Sequence, residues 1–84
     1  MGKSYPINNN GKENLMALSD HEYVNFSEDY ELNYHLRKVY KQESATNRAT
    51  LRTMGTELKA RLNKTYLTHA EFHAYILTQL HRLN

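Results

Sequence analysis

Cysteine is absent from the 84 residues, which excludes disulfides, zinc–thiolate sites and thiol nucleophiles. The same absence suits a reducing compartment. Proline occurs once, at Pro6, and tryptophan not at all. The glycines stand far apart, at positions 2, 11 and 55. Phosphate-cradling loops, dinucleotide fingerprints and nucleophile elbows all need glycines set closer than that. No apolar run approaches the roughly 20 residues that span a bilayer. No basic-then-apolar leader opens the chain, and Pro6 stands where a myristoylation signal places Ser or Thr. The expectation is a soluble, cytoplasmic protein of one domain, with a core too thin to enclose a deep catalytic pocket.

Charge is nearly balanced, with a formal net charge of +2, but it is unevenly distributed. Most of the acids precede residue 45, and the later half is basic. Such an asymmetry points to an anionic partner or to pairing between the two ends.

Residues 1–14 read as a flexible arm, since Tyr5-Pro6 is turn-like and Asn8-Asn9-Asn10-Gly11 favours turns. Residues 15–84 then form a single helical domain. After the apolar patch Leu15-Met16-Ala17-Leu18, Ser19-Asp20-His21-Glu22 matches a capping box, opening a short helix over about 19–26. Ser27 offers a second N-cap. Glu28, Asp29 and Glu31 follow in the first turn, and Arg37, Lys38 and Lys41 lie near the far end, as the helix dipole favours. Leu32, Leu36, Val39 and Tyr40 give the apolar spacing of a helix over about 28–42.

Glu43-Ser44-Ala45-Thr46 interrupts the pattern. Leu51, Met54, Leu58 and Leu62 repeat at three and four, so a helix spans about 47–63 and stops at Asn63-Lys64-Thr65. Gly55 inside it costs about 1 kcal/mol against alanine, which close approach of a neighbouring helix would offset. Thr68-His69-Ala70-Glu71 is another capping box and opens a helix over about 69–83. Phe72, Ile76, Leu80 and Leu83 form its stripe, flanked by Tyr75, with Ala70, Ala74 and Leu77 widening the apolar face. The fold class is therefore all-α: a small three-helix bundle with a short extra helix at the N-terminal side.

Few residues carry chemistry. His69 and His73 are four apart, a spacing that can hold a metal, but no third ligand stands at a matching spacing, so they read as a helix flank. His35 lies four after Glu31, an ordinary helix pair. The carboxylates between Asp20 and Glu31 suit capping and solvation. No cofactor, no metal and no enzymatic activity is expected.

Two features point to binding. Arg48 and Arg52 repeat at four near a helix start, where cations repel each other and oppose the dipole. Either acids from elsewhere in the chain neutralise them or a partner does. Seven tyrosines are many for this length, and tyrosine is enriched at interfaces. Tyr30, Tyr34 and Tyr40 cannot all share the face of Leu32 and Leu36. The leading expectation is a small regulator or inhibitor, of the kind phages and mobile elements encode. It would bind a larger protein through Tyr30, Tyr34, Tyr40, Arg48 and Arg52. The alternative is a nucleic-acid-binding regulator touching phosphates with Arg37, Lys38, Lys41, Arg48, Arg52, Lys59 and Arg61. A helix-turn-helix fits poorly, because Asn63 replaces the turn glycine and the connection to Thr68 is long. Pairing of two copies through the face of residues 70–83 would add core to so short a chain.

Overall fold

A computed structural model describes residues 23–84. The expected arm over 1–14, the Leu15–Leu18 patch and the Ser19–Glu22 capping box lie outside the described residues. Three helices follow one another: α1 (Asp29–Lys38), α2 (Ala45–Leu62) and α3 (His69–Leu77), then a single 3-10 turn, Leu80–Arg82. The fold is all-α, as expected, and α2 packs against both α1 and α3.

The described end of the expected 19–26 helix is extended instead. Tyr23 forms an isolated antiparallel bridge with Thr68, and the Val24 N–H donates to the Leu67 carbonyl at 2.9 Å. These two contacts draw the segment before α1 onto the loop before α3. Ser27 does not cap α1. Glu28 holds the N-cap position without a side-chain bond, while the Ser27 N–H and hydroxyl both donate to Asn25 Oδ1.

α1 buries Leu32, His35 and Leu36, with Val39 just beyond its end. It stops earlier than position 42 because Tyr40 adopts a left-handed conformation, φ 59°. The Lys41 N–H then reaches the Leu36 carbonyl and the Tyr40 N–H the Arg37 carbonyl, a Schellman closure. Tyr40, expected on the apolar stripe, is instead 95% exposed.

The pattern break at Glu43–Thr46 is the start of α2. Ser44 Oγ accepts from the Asn47 N–H at 3.1 Å, so the helix begins at Ala45 rather than 47. Asn47 itself is fully buried. Its amide donates to the Gln42 carbonyl at 2.8 Å and accepts from the Asn84 N–H at 3.0 Å, fixing the α1–α2 loop and the C-terminal residue to one point. Leu51, Met54 and Leu58 are buried as the spacing predicts, but Leu62 is exposed. Asn63 closes α2 in the left-handed region, φ 55°.

α3 opens with the expected capping box: Thr68 accepts from the Glu71 N–H and the Glu71 carboxylate accepts from the Thr68 N–H. The helix ends at Leu77, well short of 83, and the chain turns so that Leu83 is buried and Leu80 half-buried. Its buried face is Phe72, Tyr75 and Ile76. Ala70, Ala74 and Leu77 point to solvent, so the apolar face is narrower than the composition suggests. Arg82 returns to α2 and forms a two-pronged pair with Glu57, at 2.8 and 3.0 Å. The Tyr75 hydroxyl adds a third bond to the same carboxylate. Arg82 and Tyr75 together hold the Glu57 carboxyl below its ordinary range.

Gly55 does permit close approach, but by the Phe26 ring rather than by a helix. A Cβ built on Gly55 would lie 2.5 Å from two Phe26 ring carbons. That ring also meets Phe72 edge-on at 4.9 Å and lies under the Lys59 ammonium. Gly55→Ala gains about 1 kcal/mol of helix propensity but displaces the ring. The expected net loss is about 1–2 kcal/mol, read from urea unfolding. The cost vanishes when Phe26→Ala is already present, because nothing is then left to displace.

Candidate functional site

The side chains that α1 turns to solvent recur at i, i+4 and i+7: Tyr30, Tyr34 and Arg37. Tyr30 is 67% and Tyr34 45% exposed. With Glu31 beneath them and His69 from α3 opposite, they line an open depression of about 360 Å³. Two aromatic rings form its walls, a guanidinium stands at its edge, and a carboxylate and an imidazole form its floor.

The floor is built by a chain of polar groups between helices. The Asn25 N–H donates to Glu31 Oε1 at 2.9 Å, and His69 Nε2 faces the same oxygen at 3.7 Å. On its other side His69 Nδ1 lies 2.9 Å from His35 Nε2. The two imidazoles are nearly parallel, with centroids 5.1 Å apart and planes 11° apart. Phe72 meets His35 edge-on from the core side, and Tyr34 does so from the solvent side. His35 is fully buried. Burial, followed by the charges of His69, Lys38 and His73, pushes its pKa from 6.5 down to about 4. Among the described residues, the buried Nδ1 atoms of His35 and His73 meet no hydrogen-bond partner.

This arrangement constrains the chemistry. His69 Nδ1 is taken up by the bridge to His35, while its Nε2 stands 3.7 Å from Glu31 Oε1, beyond hydrogen-bond distance. The remaining nitrogen of the pair, His35 Nδ1, is buried. Among the described residues no group of three or more His, Cys, Asp or Glu side chains is placed to share a metal ion. No described helix is long and apolar enough to cross a membrane.

The tyrosines singled out in the sequence separate into two places. Tyr30 and Tyr34 flank the depression, whereas Tyr40 stands alone on the turn after α1. Arg48 and Arg52 do not join them. Both close on Asp29, at 3.7 and 2.8 Å, across the α1–α2 seam. Arg48 also donates to Asn33 Oδ1 and the Glu43 carbonyl, and Arg52 to the Phe26 carbonyl. An acid from α1 thus compensates the cations that oppose the α2 dipole.

The basic surface expected to touch phosphates is similarly occupied. Arg37 pairs with Glu43 at 3.1 Å, and Lys38 lies over the Tyr34 ring. Lys59 lies over Phe26 and Arg61 over Tyr75. Lys41 has no such contact.

The residues that sequence reasoning missed are Glu31, His35 and His69 as one cluster. A signal for His35 was present: it shares its helix phase with Leu32, Leu36 and Val39, which places an imidazole in the core. The bridge to His69 joins residues 34 apart in the chain and has no local signature. No protein-family model, no curated protein and no solved structure matches the chain.

Proposed function

We propose that this protein is a small non-enzymatic regulator that docks on a larger protein through the depression between Tyr30, Tyr34 and Arg37. The observation that carries this reading is two exposed tyrosine rings lining one open depression with the Arg37 guanidinium. Such a surface offers rigid apolar area at low entropic cost, which suits a protein contact better than proton transfer. Charge selects the partner. Arg37, Lys38 and Lys41 cluster at the C-terminal end of α1, where Glu43 pairs with Arg37. The occupant is therefore a partner segment that places an apolar or aromatic side chain between the tyrosines and a carboxylate at Arg37. The nucleic-acid alternative draws less support, because Arg48 and Arg52 would have to exchange Asp29 for phosphate.

Panning a random peptide display library on the full-length protein tests this. Enrichment of sequences with Asp or Glu beside an apolar residue is expected. Tyr34→Ala weakens the selected peptides by about 2 kcal/mol, roughly 30-fold, as for a contact at the centre of an interface. Arg37→Glu does so mainly at low salt. The reading fails if no peptide is enriched, or if the enriched peptides ignore both substitutions. Salt-sensitive retardation of DNA or RNA by the protein would move the assignment to the alternative.

A further inference from the structure

We propose that the His35–His69 bridge is a pH-operated latch on the depression: protonating both rings parts the bridge and releases His69 in the floor and Tyr34 in the wall. The proposal rests on the docking reading for what the latch regulates, but not for the latch itself.

The geometry sets the proton count. His69 Nε2 faces the Glu31 carboxylate, so its proton belongs there. Its Nδ1 then offers a lone pair, and His35 Nε2 supplies the hydrogen between the two rings at 2.9 Å. His35 Nδ1 is left as a bare nitrogen, consistent with a buried position that meets no partner among the described residues. One added proton can be carried with the bridge intact, either directly on His35 Nδ1 or on His69 if His35 shifts its own proton to Nδ1 and accepts the bridge hydrogen. A second added proton leaves none of the four ring nitrogens without hydrogen, so two N–H groups would point at each other across the bridge. The pair must then separate.

The surroundings oppose charge on His35 rather than compensating it. On its own helix Lys38 is cationic, and Glu31 is already held by Asn25 and His69. On α3 the neighbours are His69 and His73, and the buried Nδ1 of His73 also meets no partner among the described residues. From α2 the charged groups turned toward α1 are Arg48 and Arg52, both closed on Asp29. Among the described residues no anion faces the buried side of His35, which packs against Phe72. His69, by contrast, is partly exposed and lines the depression, so the ring that yields is the one a docked partner would touch. Tyr34 meets both imidazoles edge-on, at 5.4 and 6.4 Å, and must move when they part.

The test follows the histidine and tyrosine ring signals of the full-length protein by NMR from pH 7.5 to 3.5, with far-UV circular dichroism alongside. The Tyr34 and His69 signals are expected to shift together while the helical signal is still intact. In His69→Gln, which keeps a polar side chain but cannot titrate, the Tyr34 shift disappears. His35→Phe removes it as well, and His69→Gln alone suffices if that variant does not fold. Tyr34 signals that stay constant until the helices melt, or that shift unchanged in His69→Gln, overturn the latch. A peptide selected at neutral pH is expected to lose affinity about tenfold through the same transition, and equal affinity on both sides of it overturns the coupling. If no peptide binds at any pH, the docking reading falls, while the ring signals still decide the latch.

Discussion

Ile76→Asp abolishes the helical circular dichroism signal at 25 °C, whereas Leu77→Asp one residue later leaves it intact. Ile76 is fully buried in the cluster with Leu32, Leu36, Leu51, Met54 and Phe72. A carboxylate placed there has no cation or donor to meet it, and burying an unpaired charge costs at least several kcal/mol. A domain of this size has roughly 5 kcal/mol in all, so one such substitution exhausts it. Leu77 is 51% exposed, and a charge there stays in water. The contrast tests the direction of α3 directly. A folded Ile76→Asp protein, or an unfolded Leu77→Asp protein, would mean that α3 presents a different face to the core.

The part of the fold legible in the sequence is the part decided locally. Thr68 and Glu71 form their capping box from residues three apart, and Asn63 ends α2 because asparagine tolerates the left-handed region. Leu51, Met54, Leu58, Phe72 and Ile76 are buried because their spacing alone puts them on one face. The errors have tertiary causes. α1 stops early because Tyr40 takes a left-handed turn that tyrosine rarely adopts, and no local residue announces it. Arg48 and Arg52 look misplaced until Asp29 arrives from another helix. Ser44 was hidden as a cap because the helix it starts begins with polar residues.

The candidate site divides in the same way. The exposure of Tyr30 and Tyr34 follows from helix phase, since Leu32 and Leu36 claim the opposite face. The histidine bridge beneath them depends on how α3 is set against α1, which spacing within either helix cannot specify. The described N-terminal segment adds a further nonlocal element. Tyr23 and Val24 pair with the loop before α3, and Asn25 reaches Glu31, so a segment that reads as helix in isolation closes the floor of the site.

Acid weakens the whole fold in a window set by His35. Its pKa falls from 6.5 to about 4 on folding, so the unfolded chain binds a proton that the folded chain resists. Stability from this group is complete above the unfolded value and is lost as pH falls toward the folded one. The full shift corresponds to about 3 kcal/mol by pH 4, and about 2 kcal/mol is already lost at pH 5. The carboxyls of Glu57 and Glu71, held low by Arg82 and Lys64, lose their advantage only below their ordinary value of 4.5. The two effects therefore separate along the pH axis. Urea midpoints at pH 7.5, 6 and 5 are expected to fall steadily for the native chain. In His35→Leu the curve flattens over the same interval, because the substitution removes the titrating ring and keeps an apolar side chain against Phe72. Parallel curves for the two proteins would mean that another group drives the acid loss and that the imidazole is not held neutral by its burial. A flatter curve ties the cost to the His35 imidazole on the buried side of the bridge. Parting the bridge relieves that cost locally only if it takes less free energy than unfolding, which is the condition for the latch to move before the core does.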